Sequence, residues 1–418
     1  MNSAVIRRAW RRREWRISDR RPWWFGRLER MLQTMQQGQL TVHWPDGRVA
    51  QYGQTTDEAD DDGRLHGVIT LHAWQVLRQL LREGDIGLAH AYRDGLWHSP
   101  DLAALFRVVL ANREALHGLI HGHPLTQWVN RLRHWQRRNS KANSAANIPA
   151  HYDLGNDFYR LWLDETMNYS SAIFDGDFSQ PMAKAQRRKV RRALQMAQVR
   201  PGDRVLEIGC GWGALAEEAV RHFDASVTGV TLSPAQLAYA QERLRDLGLP
   251  GQAELRLQDY RDVDDDEFDA VCSIEMIEAV GREYWPTYFQ SVAQALKRGG
   301  HACVQSIVIA DEHAERYWQS TDFIQQMIFP GGCLPSPSAL REHADAAGLE
   351  LVDCFSFGRD YAETLRRWHR AFDAAHEGVS AQGFDASFMR VWRLYLAYCE
   401  AGFDDGCLDV VQYTWRKR

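Results

Sequence analysis

A glutamate and three glycines close a predicted buried strand, in an arrangement suited to a small cationic ligand. Residues 204–208 predict the strand, and Gly209, Gly211 and Gly213 predict a tight turn into a helix. The glycines fall as G-x-G-x-G and not as the G-x-G-x-x-G of dinucleotide sites. Because Glu207 repels phosphate and attracts cations, the pattern favours a nucleoside without phosphates. S-adenosylmethionine, with its ammonium and sulfonium groups, fits that description. The glycines alone also suit a plain turn, but the order of the surrounding elements counts against this.

Strands and helices alternate from about residue 190, which predicts the scaffold that positions this turn. The predicted strands are 204–208, 226–230, 253–257, 268–274, 301–308 and 349–356. The predicted helices between them are 212–223, 233–247, 284–297 and 337–347. This alternation indicates an α/β fold with a doubly wound, mostly parallel sheet, in which ligands bind beyond the carboxyl ends of the strands. Residues 311–335 form an unusually long predicted connection, a candidate lid. Residues 361–401 predict two helices.

The residues before this sheet are predicted to form a small α+β domain. Its predicted elements are a hairpin at 39–51, a polar loop at 55–65 and helices at 74–81, 87–97 and 101–116. We therefore divide the chain into an N-terminal domain (1–120) that associates with lipid or membrane, a linker (121–150) and a catalytic domain (151–418).

Composition and charge exclude several classes of protein. The net charge of -5 argues against a general nucleic-acid binder. Seven cysteines without C-x-x-C spacing suggest neither a disulfide framework nor a zinc site, and we expect no metal. No apolar run approaches the roughly 20 residues of a membrane span, and no secretory signal is evident. We therefore expect a cytoplasmic protein.

The first thirty or so residues are rich in arginine and tryptophan. One interpretation is an anchor to an anionic membrane surface, with arginines at phosphates and tryptophans at the interface. The other is a helical arm packed on the body of the protein, and the sequence leaves both open. The basic run 131–141 equally suits a solvated helix face, which we slightly favour, or a second headgroup patch.

Seven short motifs in a fixed order together resemble the cyclopropane fatty acid synthases. They are HYDLGNDF (151–158), MNYSSA (167–172), LEIGCGWG (206–213), GVTLS (229–233), QDYRD (258–262), EAVG (278–281) and IFPGGCLP (328–335). The resemblance extends over nearly the whole chain and implies a class I methyltransferase, Rossmann-like fold. It implies methyl transfer from S-adenosylmethionine to the cis double bond of a phospholipid acyl chain, by a peripheral enzyme at the inner face of the membrane. Family members often form dimers, so a homodimer is possible.

The resemblance also implies which residues surround the cofactor. Tyr169, Ser170 and the turn from Gly209 to Gly213 would enclose it. Thr231, Leu232 and Gln236 would hold the ribose side, with Thr231 at a strand end where many methyltransferases carry an acid. Asp259 and Tyr260 would flank the adenine.

The implied chemistry explains why such a site needs both positioning and a base. An alkene is a poor nucleophile, so it must be held in line with the methyl group. Transfer leaves a carbocation, which requires exclusion of water and stabilisation by ring faces or a carboxylate. Loss of a proton from the new methyl group closes a cyclopropane, whereas loss from a neighbouring carbon gives a methylated or methylene alkene.

In the family a bound bicarbonate is thought to be the base. Its implied cradle here is Ser171, Glu278, Gln305, Ile307 and Tyr361, of which Ser171 and Gln305 replace a cysteine and a histidine. Ser171 can still donate through its backbone, but Gln305 cannot carry a proton. The usual Glu-His pair is also changed, to Glu278-Ala279. Bicarbonate binding and the cyclopropane product are therefore in doubt.

Each cradle residue has a simpler interpretation. Glu278 can be an acid that stabilises a helix start, and Tyr361 can be a packed aromatic. Gln305 lies in an apolar strand, where a buried amide needs partners, which favours a site role. The leading hypothesis is a cyclopropane-forming enzyme. The alternatives are the same transfer giving a methylated or methylene alkene, a small-molecule methyltransferase, and a lipid-binding protein without activity.

Overall fold

The computed structural model describes residues 20–54, 65–116, 154–249 and 251–418, which contain two β-sheets. The predicted linker, the motif residues 151–153 and the arginine-rich residues before 20 lie outside the described part. The smaller sheet has the order β2-β1-β3-β4. Its strands are β1 (Gln39–His43), β2 (Val49–Gly53), β3 (His66–Leu71) and β4 (Trp97–His98). The helices of this part are α1 (Phe25–Leu32), α2 (Gln75–Glu83), α3 (Asp85–Arg93) and α4 (Leu102–Ala111).

The predicted hairpin and three helices of this part are confirmed, but two strands were missed. Strand β3 pairs parallel with β1, so no hairpin turn marks it in the sequence. Trp97 was placed in a helix and instead lies in β4, paired with Leu71. The helix ends earlier because Gly95 adopts a φ of 74°.

The larger sheet has seven strands in the order β10-β11-β9-β8-β5-β6-β7. They are β5 (Arg204–Ile208), β6 (Ser226–Thr231), β7 (Ala253–Leu257), β8 (Phe268–Ile274), β9 (Leu296–Ile309), β10 (Leu349–Ser356) and β11 (Leu408–Lys417). Strands β5 to β9 pair parallel with one another, which confirms the prediction of a doubly wound, mostly parallel sheet. The topological switch point lies between β5 and β8, because β6 and β7 extend to one side of β5 and β9 to the other.

Helices cover this sheet and also form part of the long connections between its strands. They are α5 (Asn156–Arg160), α6 (Met182–Met196), α7 (Ala214–Phe223), α8 (Pro234–Asp246), α9 (Trp285–Ala295), α10 (Asp311–Trp318), α11 (Phe323–Met327), α12 (Pro337–Ala346), α13 (Gly358–Ala374), α14 (His376–Ala381) and α15 (Ala386–Asp405). The connection 311–335, predicted as a loop, therefore contains two short helices. The segment predicted as two helices contains three, and no described helix is long and apolar enough to cross a bilayer.

Strand β11 is the main element that the sequence did not indicate. It lies antiparallel between β9 and β10 and is buried along six consecutive residues, Val410–Trp415. A strand covered on both faces lacks the polar–apolar alternation that identifies a half-buried strand. This strand brings Gln412 opposite Gln305 in the sheet register.

A cluster of aromatic side chains joins α15 to the elements that precede the large sheet. Trp392 of α15 packs with ring-centroid distances of 5.1 Å to Phe158 and 5.9 Å to Trp162. The same hydrophobic core continues into the N-terminal sheet and its helices. At the surface, Arg107 of α4 forms an ion pair with Asp404 of α15 at 2.9 Å. The small sheet and its helices therefore share one hydrophobic core with α15.

Candidate active site

A cavity opens at the carboxyl ends of β5 and β6, beside the switch point where α/β proteins bind ligands. Nearly every predicted cofactor residue lines it: Tyr169, Ser170, Glu207, Gly209, Gly211, Thr231, Leu232, Gln236, Asp259 and Tyr260. Gly213 does not line the cavity. It adopts a φ of 82°, and a Cβ there would lie 3.0 Å from the Ala240 side chain, so its place is in helix–helix packing.

The turn after β5 requires glycine at its first position. Gly209 has a φ of 86°, and a Cβ built on it would lie 3.0 Å from Met276 Cγ. A side chain would be strained there and would crowd the floor of the cavity. The turn therefore allows the backbone to approach a ligand closely.

Glu207 fits the ammonium group of S-adenosylmethionine. It is 4% exposed, and its Oε2 has no hydrogen-bond partner among the described residues. Burial raises its pKa to about 8, opposed by the nearby Lys189 ammonium. A buried carboxylate oxygen without a partner requires a donor, and a ligand ammonium in this cavity can supply one.

Glu207→Gln is expected to weaken cofactor binding about tenfold or more and to remove part of its pH dependence. The ligand ammonium requires the ionised carboxylate, whose pKa in the free protein is about 8. Wild-type affinity should therefore rise as the pH increases from 6 toward 8, relative to the variant. Calorimetry with S-adenosylhomocysteine checks this, because the ligand's own titration is common to both proteins. Equal pH slopes would contradict this role.

Lys189 is a buried cation beneath the cavity that sequence reasoning missed. It projects from α6, donates to Asn168 Oδ1 at 3.0 Å and to Ser170 Oγ at 2.5 Å, and is fully buried. Burial lowers its pKa to about 8, opposed by the Glu275, Asp164 and Glu207 carboxyls. Because Lys189 donates to the Ser170 oxygen, the Ser170 hydroxyl proton is free to bond a cofactor acceptor.

A second, more apolar chamber adjoins the cofactor cavity. Its lining includes Ile307, Ile324, Phe329, Tyr361, Leu365, Tyr395, Tyr398, Phe403 and Leu408, together with Leu110 of the N-terminal part. Tyr169, Glu275 and Ala279 line both chambers. A methyl donor in the first chamber and an apolar chain in the second would meet at these three residues.

The groups predicted to cradle bicarbonate converge instead on the carboxylate of Glu275. The backbone N–H of Ser171 donates to Glu275 Oε1 at 2.8 Å, and Gln305 Nε2 donates to the same oxygen at 2.7 Å. The Tyr361 hydroxyl donates to Glu275 Oε2 at 2.6 Å. The Ser171 side chain bonds Ala172 O and takes no part. A protein carboxylate thus accepts hydrogen bonds from three of the groups that the resemblance assigned to the free anion.

The remaining two cradle residues form a separate pair. The Ile307 N–H donates to Glu278 Oε1 at 2.5 Å, while Glu278 Oε2 is buried without a partner among the described residues. Burial raises the pKa of Glu278 to about 8, with the Glu275 charge acting in the same direction. With both sets of donors held by protein carboxylates, these residues do not fit a bound bicarbonate.

Glu275 itself is the second residue that sequence reasoning missed. It follows β8 directly, with a φ of 49°, a conformation that is strained for a residue other than glycine. Burial raises its pKa, and the bonds from Tyr361 and Ser171, with the Lys189 charge, oppose that rise. One sequence feature could have identified Glu275: it is an acidic residue at the carboxyl end of β8, which lies beside β5, the strand that leads into the cofactor turn. Backbone strain at a buried, perturbed carboxyl is typical of a functional residue.

Comparison with known proteins supports the geometry. Residues 139–413 match the mycolic acid cyclopropane synthetase family, and the chain belongs to that family. It is an S-adenosylmethionine-dependent C-methyltransferase of the cyclopropane synthase type.

Two relatives indicate how the activity varies within the family. The chain is 38% identical over 391 residues to tuberculostearic acid methyltransferase UfaA1 of Mycobacterium tuberculosis, covering 89% of this chain and 88% of the relative. It is 35% identical over 332 residues to cyclopropane-fatty-acyl-phospholipid synthase of Escherichia coli, covering 78% and 81%.

Solved structures support the fold and the cofactor. Mycolic acid cyclopropane synthase CmaA1, complexed with S-adenosylhomocysteine and CTAB, superposes with a TM-score of 0.61 at 32% identity, covering 65% of this chain and 98% of that one. Coclaurine N-methyltransferase superposes with a TM-score of 0.63 at 20% identity and is alike in fold only.

Proposed function

We propose that this enzyme transfers a methyl group from S-adenosylmethionine to the cis double bond of a phospholipid acyl chain and yields a methylated alkene. The single observation behind this proposal is the position of Glu275. Its carboxylate lines both the cofactor cavity and the apolar chamber. It is held there by three donors, from Ser171, Gln305 and Tyr361.

The apolar chamber suits an acyl chain and the cation formed on it. Tyr361 and Phe403 stack with ring centroids 4.5 Å apart, and Tyr395 donates to or accepts from Tyr169 at 3.0 Å. Aromatic faces stabilise a nearby cation, and an apolar wall excludes the water that would otherwise trap it. These properties support a hydrocarbon substrate over a soluble polar one.

The reaction balances with one proton acceptor. The alkene π electrons form a bond to the methyl carbon as the carbon–sulfur bond breaks, which leaves S-adenosylhomocysteine and a carbocation on the chain. Loss of a methyl proton closes a ring. A hydride shift before that loss gives a methylene group instead. Loss of a proton from the adjacent chain carbon gives a methylated alkene, and in each case the proton leaves to a base.

Glu275 is the base in this proposal, and its fixed position favours the third outcome. Its backbone conformation and three hydrogen bonds prevent the carboxylate from following the transferred methyl group. Because it lines the chamber assigned to the chain, it takes the proton from the chain carbon beside the cation. The departures at Ser171, Ala279 and Gln305 from the implied cradle agree with a different proton acceptor.

Cyclopropane formation is the second candidate. The observation that favours it is the identity of 35% to cyclopropane-fatty-acyl-phospholipid synthase of Escherichia coli over 332 residues. In that case Glu275 would remove a proton from the methyl group before any hydride shift.

Vesicles of cis-unsaturated phospholipid and methyl-labelled S-adenosylmethionine test the substrate class. We expect labelled acyl chains with vinylic protons retained and no upfield ring protons by NMR. Ring protons would establish the second candidate. Label in a soluble acceptor alone would indicate a small-molecule methyltransferase. Failure to bind S-adenosylhomocysteine would indicate a lipid-binding protein without activity.

We also propose that the start of the described chain docks on an anionic bilayer. Trp23 is 86% exposed, and the Arg27 guanidinium lies 5.9 Å from its ring centroid. Arg20, Arg21 and Arg30 are exposed around them. An exposed tryptophan among arginines suits the interface and the phosphates of a lipid surface.

Arg27→Gln is expected to weaken binding to vesicles that contain phosphatidylglycerol about fivefold, the effect of one basic residue near the surface. The difference should shrink at high salt. Vesicle sedimentation measures it, with Val352→Ser as the control because Val352 is 51% exposed on β10 of the large sheet. Equal losses in both variants would contradict a specific docking surface.

A further inference from the structure

A chain of hydrogen-bonded side chains runs from the protein surface to Glu275 through strand β11. Arg192 of α6 donates through Nη2 to Asp353 at 2.8 Å and through Nη1 to Gln412 Oε1 at 2.8 Å. Gln412 Nε2 donates to Gln305 Oε1 at 3.0 Å and to the Lys189 carbonyl at 3.1 Å. Gln305 Nε2 then reaches Glu275. Both glutamines are fully buried.

The direction of every bond in this chain is determined by its two ends. A guanidinium can only donate, so Gln412 must turn its oxygen toward Arg192 and its amino group toward Gln305. Gln305 must then turn its oxygen toward Gln412 and its amino group toward Glu275. The ionised Glu275 carboxylate can only accept, so the bond from Gln305 to Glu275 has the same direction that the Arg192 end requires.

We infer that Gln412 and Arg192 are positioning residues that hold the Gln305 amide with its N–H toward Glu275. This inference rests on the proposed function, in which Glu275 is the base. Without the pair, the buried Gln305 oxygen has no donor, which is costly. The amide can then turn away from Glu275 to find one, and its bond to the carboxylate weakens.

The other groups around Glu275 would remain in place. Tyr361 contacts it from α13, Lys189 approaches from α6, Ser171 donates through its backbone, and Glu278 lies in the turn after β8. Loss of the Gln305 donor therefore removes one hydrogen bond from the ionised Glu275 carboxylate. Donors favour the ionised carboxylate, so the pKa of Glu275 should rise when that bond is lost.

Gln412→Met tests the inference, because methionine fills a similar volume but cannot donate or accept in the chain. We expect kcat to fall about tenfold, the effect of one hydrogen bond to a charged group. The acidic limb of the pH–rate profile should move to higher pH, while KM for lipid stays unchanged. Thr414→Val is the control, because Thr414 is a buried neighbour on the same strand outside the chain of bonds.

A second variant and a parallel measurement keep the outcomes distinct. If Gln412→Met fails to fold, Arg192→Met replaces it as the test, because the Arg192 side chain is 20% exposed. This variant should also move the acidic limb of the pH–rate profile to higher pH. A wild-type pH profile in a folded variant overturns the inference. The proposed function survives such a result if Glu275→Gln abolishes turnover in the same assay. If Glu275→Gln is active, the proposed function fails first.

Discussion

Glu275→Gln is expected to lower turnover by about three orders of magnitude and to leave S-adenosylhomocysteine binding unchanged. Removal of a general base typically costs a hundredfold to ten-thousandfold. The amide keeps the size of the side chain but cannot accept the proton that the carbocation must lose. Single-turnover assays with lipid vesicles and calorimetry with S-adenosylhomocysteine separate chemistry from binding.

Glu283→Gln is the matched control, because Glu283 is exposed in the turn that follows the site. It should retain wild-type turnover. Full activity in Glu275→Gln would contradict the assignment of the base. Glu278, whose pKa burial raises to about 8, would then be the next carboxyl to replace.

Lys189→Met is expected to lower the free energy of unfolding by about 3 kcal/mol and to weaken cofactor binding. Loss of one member of a buried charged cluster typically costs 3–5 kcal/mol, because the other members lose their partner. Asn168 Oδ1 and Ser170 Oγ would lose a donor, and the Glu207 and Glu275 carboxyls would lose a nearby positive charge. Urea denaturation and calorimetry measure the two effects.

Lys184→Met on the same helix provides the comparison, because Lys184 is exposed. Exposed substitutions usually change stability by no more than about 0.5 kcal/mol. Equal stability of the two variants would show that the buried ammonium contributes nothing to the site's integrity.

The sequence predicts the strands of the doubly wound sheet because each is a short apolar run between helices. The predicted bounds 204–208, 268–274 and 349–356 agree with β5, β8 and β10. The prediction failed at β11, where six consecutive buried residues show no alternation. It also failed at β3, whose parallel partner is separated from it by a hairpin strand and a loop.

The cofactor side of the site was predictable because its residues follow one strand and one turn. Glu207 and Gly209 are local features of β5, and the structure places both at the cavity. Glu275 was not predictable in the same way. Its donors come from residues 171, 305 and 361, and only the folded sheet and α13 bring them to one carboxylate.

The convergence of these donors on Glu275 also bears on bicarbonate, which the changes at Ser171 and Gln305 had already put in doubt. The resemblance identified the surrounding donors, but a residue-by-residue comparison of the cradle does not reveal what occupies its centre. A carboxylate at the end of β8 satisfies those donors from within the chain. Ser171 and Gln305 therefore retain a function as donors to Glu275, although neither matches the residue type that the resemblance implies.

S-adenosylmethionine with a fully deuterated methyl group tests the central claim most directly. The acyl product of wild-type enzyme and unsaturated vesicles is analysed by mass spectrometry and deuterium NMR. If Glu275 takes the proton from the chain, the product retains all three methyl deuterium atoms. Loss of one deuterium would contradict the account, because the proton would then have left the methyl group, as in ring closure or methylene formation.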